Sequence, residues 1–223
     1  MRALRDNSLS IAFLVILAGA LVGQALVGHA LFNHDAIAHH GAAVSLGRYL
    51  TSSSFAVDVM ENWQSEYLQF TLYILVTVWF IQRGSTESKE PGKEGLESDA
   101  DQKVGEHAEP GSPRWAKAGD WRTGLYSSSF LIVMGTIWLS TWFAQLVTGR
   151  IDYNASQLDH QLAPLSLGQY LGSSDFWDRT LQNWQSEFLA VASFSLFSIY
   201  LRQRGSPESK PVGAPHEATG MEG

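Results

Sequence analysis

Two carboxylates, Glu66 and Glu187, each close the pentapeptide Asn-Trp-Gln-Ser-Glu, at residues 62–66 and 183–187, and an apolar run follows each at once. A carboxylate at the mouth of an apolar helix can hold a proton or a cation, because ionisable residues within membrane spans usually mark function. On a helix, Asn62, Glu66, Gln69 and Tyr73 recur at intervals of four, three and four residues, which places them on one stripe. The matching residues of the second copy are Asn183, Glu187, Ala190 and Phe194, so polarity persists there at one end only. Gln64 and Gln185 in the pentapeptides, with Gln24 and Gln145 at similar depth in the preceding apolar segments, supply amides that can hydrogen-bond a carboxylate where unpaired polar groups are costly. A competing reading gives the pentapeptide to folding. Trp63 and Trp184 then anchor at the membrane interface, glutamine and serine bond between helices, and glutamate faces water. The folding reading is favoured, since charge at the membrane boundary costs little.

Histidine is the second chemistry-bearing residue. His29, His34, His39 and His40 crowd one segment with Asp35, and imidazole with carboxylate can ligate zinc or another divalent ion. The second copy retains only His160, beside Asp159, so the metal expectation rests on the matched pair His39 and His160, with a solvated polar loop as its alternative. There is no P-loop, nucleophile elbow, zinc-protease helix or dinucleotide fingerprint, so no cofactor and no catalytic residue is expected. Cysteine is absent, which excludes thiolate chemistry and disulfides. The 15 Lys and Arg are outnumbered by 22 acidic residues and lie in short groups, which argues against nucleic acid as a partner.

The elements that must position these residues are membrane helices. Leu9–Phe32 and Phe130–Val147 are long apolar runs able to cross roughly 30 Å of hydrocarbon. The first also resembles a signal peptide, with Arg2 and Arg5 before it and small residues around Gly23-Gln24-Ala25, but its internal copy cannot be one. Tyr67–Ile81 and Phe188–Leu201 are shorter. Extended backwards, they predict helices from Phe55 to Arg83 and from Phe176 to Arg204, capped by Ser54 and Asp175.

A constant shift of 121 residues lays Ser45–Leu68 on Ser166–Leu189 with 14 of 24 positions identical, and Arg-Gly-Ser-Thr-Glu-Ser-Lys at 83–89 on Arg-Gly-Ser-Pro-Glu-Ser-Lys at 204–210. Such a register marks an internal repeat. The expected organisation is a first two-span repeat at 1–83, a disordered acidic linker at 84–121, a second two-span repeat at 122–206 and a disordered tail at 207–223. The linker's acidic, Gly- and Pro-containing composition is the basis for disorder. Leu46, Tyr49 and Leu50, with Leu167, Tyr170 and Leu171, suit short helices on the outer membrane surface, and the Arg-Gly-Ser segments suit helix stops. Of the Lys and Arg residues, 12 of 15 fall at the termini and linker, which places those regions in the cytoplasm and the pentapeptides at the outward ends.

The duplicated Asn-Trp-Gln-Ser-Glu-Phe-Leu and Arg-Gln-Arg-Gly-Ser-Pro-Glu-Ser-Lys segments resemble those of a family of uncharacterised bacterial, mostly actinobacterial, membrane proteins of unknown function. That resemblance implies four spans and supplies no catalytic residues. The reading is an all-α integral membrane protein of the cell membrane, with four transmembrane helices in two tandem parallel repeats. It is expected to be non-enzymatic, binding a lipid, ion or protein partner at the outward ends of its second and fourth helices, with the lipid bilayer and a homo-oligomer or membrane-protein partner around it. A small transporter or proton pathway is the alternative, and a membrane enzyme using Glu and His the third. Transport is weakened by the inner halves of the second and fourth spans, which offer only hydroxyl groups.

Overall fold

The computed structural model describes residues 2–221, with side chains from Leu4; Met1, Glu222, Gly223 and the side chains of Arg2 and Ala3 lie outside the described residues. Among the described residues the chain is all-α: α1 Arg2–Asp6, α2 Ser8–Ala38, α3 Leu46–Leu50, α4 Ser53–Val76, α5 Trp121–Ser127, α6 Ser129–Asp159, α7 Leu167–Leu171 and α8 Ser174–Tyr200. A short 3-10 turn, Gly105–His107, interrupts the turns and coil between α4 and α5. Two helices, α2 and α6, are long and apolar enough to cross a membrane, with mean hydropathy of 2.3 and 1.7 over their most apolar stretches.

Helices α4 and α8 start and stop earlier than expected. Ser52 and Ser173, rather than Ser54 and Asp175, provide the caps, their hydroxyls accepting from the backbone N–H groups of Phe55 and Phe176. A serine three residues ahead of its donor is the ordinary cap geometry, and Asp175 falls inside the first turn, where its charge complements the helix dipole. The helices end at Val76 and Tyr200, not at Arg83 and Arg204. Past those points serine hydroxyls take over the backbone: Gln82 N–H donates to Ser88 Oγ at 2.8 Å and Gln203 N–H to Ser209 Oγ at 2.9 Å. A side-chain oxygen that satisfies the backbone competes directly with continuation of the helix. The Arg-Gly-Ser segments are therefore serine-latched turns rather than helix stops, and their glycines adopt φ of +87° at Gly84 and +83° at Gly205, where a Cβ would be strained.

The chain divides into two compact units, Met1–Met60 with Ala144–Leu171, and Glu61–Phe143 with Gly172–Gly223. In the first, α3 and α7 each turn one side chain inward. Tyr49 and Tyr170 are buried, at 2% and 0% exposure, while Leu50 and Leu171 are exposed. The Tyr49 ring sits 5.8 Å from that of His29, 5.5 Å from Phe32 and 5.4 Å from Phe55, and Tyr170 sits 5.6 Å from Tyr153. The second unit holds an aromatic cluster: Trp142 stacks on Trp138 at 6.0 Å and lies 6.0–6.1 Å from Phe176, Trp177 and Trp184.

Candidate functional site

The two pentapeptides meet within the second unit, on α4 and α8. Gln64 is fully buried, accepts the Trp184 indole N–H at 2.9 Å through Oε1, and donates through Nε2 to the Glu61 carbonyl at 3.1 Å. Ser65, also buried, donates to a Glu187 carboxylate oxygen at 3.3 Å and to the Asn62 carbonyl at 2.9 Å. Glu61 reinforces the contact through an ion pair with Arg179 at 3.1 Å, and Arg179 lies 3.6 Å from Asp175. Glu66 is exposed, Glu187 half-buried, and the two carboxylates are close enough for their charges to oppose one another.

Identical words therefore occupy different surroundings. Gln64 is buried and Gln185 exposed; Trp184 is half-buried and spends its N–H on Gln64, whereas Trp63 is 38% exposed. Asn62 is exposed, and Asn183 turns its amide back to the Arg179 carbonyl at 2.8 Å. Leucine at position 64 is expected to cost about 1–3 kcal/mol by stranding the Trp184 N–H, while Gln185→Leu stays within about 0.5 kcal/mol. Detergent-titrated unfolding of the two variants measures the difference.

Gln24, half-buried, and Gln145, fully buried, belong to the first unit. His39 and His160 are exposed at the ends of α2 and α6, and each turns its Nδ1 to the carbonyl four residues back, Asp35 at 2.9 Å and Ser156 at 2.8 Å. Among the described residues, no three His, Asp or Glu side chains gather in a group that could hold a metal ion.

Three repeat-matched features escaped sequence reading, although the offset of 121 marks each. Asn33 and Asn154 clasp the loops that follow their helices. Asn33 Oδ1 accepts from Val44 N–H at 2.8 Å and its Nδ2 donates to the Val44 carbonyl at 3.0 Å. Asn154 does the same with Leu165, at 2.7 and 2.9 Å. Gly28 and Gly149 let the Tyr49 and Tyr170 hydroxyls reach the helix backbone: a Cβ on Gly149 would stand 2.6 Å from the Tyr170 hydroxyl, and one on Gly28 would overlap that of Tyr49. Burial, with Asp58 and Asp152 nearby, pushes the Tyr49 phenol up and keeps it neutral. Third, Glu87 and Glu208 of the latched turns line one cavity in the second unit.

A family model described as "Domain of unknown function (DUF6766)" matches residues 1–221. No curated protein and no solved structure matches the chain.

Proposed function

This chain belongs to the DUF6766 family, and on that premise we propose that it is a four-span integral protein of the cell membrane, with both termini cytoplasmic, which binds a partner without transforming it at the outward ends of α4 and α8. Support for membrane residence comes from α2, whose most apolar stretch has none of its residues buried by protein. A helix apolar on every side needs an apolar surround, and lipid supplies it. Helices α4 and α8, of 24 and 27 residues, are about 36 and 40 Å long at ~1.5 Å per residue, enough to cross as the second and fourth spans.

The observation that carries the binding reading is the direct joint between the two pentapeptides, Gln64 to Trp184 and Ser65 to Glu187. It brings both carboxylates to one place and leaves Asn62, Glu66 and Gln185 on the surface for an ion, a lipid headgroup or a protein partner. The joint also accounts for the motif's repetition without any reaction. Reporter fusions after Ala42 and Pro164 are expected outside, and those after Glu97 and Pro215 inside; an outward Glu97 fusion refutes four spans. Native mass spectrometry of protein gently extracted from its own membranes tests binding. A defined bound mass is expected and should be lost in the Glu66→Gln, Glu187→Gln variant; identical spectra refute binding at these ends.

A further inference from the structure

The sign of the charge reverses just ahead of α5 and α6. Residues 84–112 carry eight acidic and three basic side chains, whereas 113–122, Pro-Arg-Trp-Ala-Lys-Ala-Gly-Asp-Trp-Arg, carries three basic residues and one acidic. In the second unit this stretch is folded into a knot. Gly105 N–H donates to the Ala116 carbonyl at 2.8 Å, the Thr123 hydroxyl to the Trp115 carbonyl at 2.8 Å, and Gly119 N–H to the Thr123 hydroxyl at 2.9 Å, and Ala116 is buried. The largest apolar side chains of the knot nevertheless face outward. Trp115 and Trp121 meet edge to face, with ring centroids 6.2 Å apart, and are 43% and 71% exposed; Leu125, one turn along α5 from Trp121, is 41% exposed. Rings of this size held side by side in water carry a cost that an interfacial surround would recover.

Position and charge say what covers them. A single residue, Ser128, separates α5 from α6, which is long and apolar enough to cross a membrane. The end of a span lies at the headgroups, where Trp is enriched and where Lys and Arg gain from anionic lipid. Trp121, Gly124 and Leu125 share one face of α5, and a short apolar face with cations beside it suits that layer. The cations differ in their commitments. Arg122 is spent on Asp120, in a two-pronged pair at 2.9–3.1 Å. Arg114 is exposed, and the Lys117 ammonium gives one of its three donors to the Pro110 carbonyl, so both can meet an anion.

We propose that residues 113–127 dock on anionic phospholipid at the cytoplasmic end of α6, with Trp115, Trp121 and Leu125 among the upper acyl carbons and Arg114 and Lys117 on lipid phosphates. The inference rests on the membrane reading above and adds to it a lipid preference at the inner face, apart from the outward pentapeptides. The same lipids repel the acidic stretch before Pro113, so the knot marks where the chain leaves the membrane.

Because the chain has no cysteine, single probes can be placed in the full-length protein. Gly124→Cys, where a new Cβ meets nothing within 4 Å, carries a nitrobenzoxadiazole label in nanodiscs of phosphatidylcholine with phosphatidylglycerol. Nitroxide on a shallow acyl carbon should quench it. Carried on phosphatidylglycerol, that nitroxide should quench a few-fold more than the same group carried on phosphatidylcholine at equal mole fraction. Arg114→Gln with Lys117→Gln should abolish the lipid preference, and Trp115→Ser with Trp121→Ser should move the label into water. A label at Ala100→Cys, in the acidic stretch, should stay in water. A label at Thr136→Cys, on the exposed side of α6, marks the span and should be quenched by nitroxide deep in the chains. With position 136 deep, a label at position 124 in water, or equal quenching by the two lipids, overturns this proposal alone. An unchanged preference in the Arg114/Lys117 variant overturns it as well, by removing the cations from recognition. A label at position 136 in water overturns the membrane reading and this proposal with it.

Discussion

Replacing Asn154 by leucine is expected to destabilise the fold by about 2–3 kcal/mol, while Asn33→Leu costs about 1 kcal/mol less. Each asparagine makes two hydrogen bonds to one peptide unit, its oxygen accepting the N–H and its amide donating to the C=O of Leu165 or Val44. Leucine keeps the volume and abandons both groups, and part-buried backbone left without partners carries most of the cost. The asymmetry comes from His29. Its Nε2 lies 2.7 Å from the Val44 carbonyl and 2.9 Å from Asn33 Nδ2, so once Asn33 is gone the tautomer protonated at Nε2 takes over that oxygen. Arg150 occupies the matching position in the second copy, where the structure gives the Leu165 carbonyl no such support. Asn154→Asp should fall between wild type and leucine, because a carboxylate can still accept from Leu165 N–H but cannot donate to its carbonyl. Detergent-titrated unfolding gives the free energies. Hydrogen exchange at the Leu165 amide should accelerate in both variants, most in leucine; equal stability of the Asn33 and Asn154 leucine variants would refute the role given to His29.

The second large effect is steric and should reveal itself by rescue. Gly28→Ala places a methyl group where the Tyr49 hydroxyl lies, and is expected to cost about 1–3 kcal/mol as overpacking. Tyr49→Phe removes that oxygen and leaves the ring carbon behind it 3.1 Å from the new methyl, a tight contact that small shifts relieve. The double variant should therefore recover at least half of the loss, a favourable coupling between neighbours that independent sites would not show. At Gly149 the rescue is weaker, because Val57 stands 3.2 Å from the same Cβ position as a second wall that Tyr170→Phe does not remove. Additive losses at both pairs would mean that the tyrosines do not require the glycines.

Much of the frame is legible in the residues alone. The apolar runs of α2 and α6 mark their helices because each is far longer than a strand and carries no proline to break it. The repeat is legible because its register never slips, and the pentapeptides' bonding between helices follows from pairing an amide and a hydroxyl with an apolar neighbour. What the letters do not show is which copy of a word goes inside. Gln64 and Gln185 read alike, yet only the first meets a Trp N–H, a matter of tertiary pairing rather than propensity. The ends of α4 and α8 were misplaced because Ser88 and Ser209 act back across six residues, and helix-end rules read only adjacent residues. Amphipathic spacing does not reveal that, of the apolar side chains of α3 and α7, it is Tyr49 and Tyr170 that have a glycine opposite them. That Glu87 and Glu208 line one cavity is likewise a matter of tertiary placement.

The uniform apolarity of α2 has a mechanical consequence. On the membrane reading proposed above, a helix so evenly apolar would feel little torque from lipid, and that surround would fix its depth more than its azimuth. Its azimuth would then be set by protein contacts, among them those of its loop-clasped end, where Gly28 admits Tyr49 and Asn33 grips Val44. Those contacts act as a keyed pivot, and loosening them would free the rod to turn in place while its secondary structure and its length stayed the same.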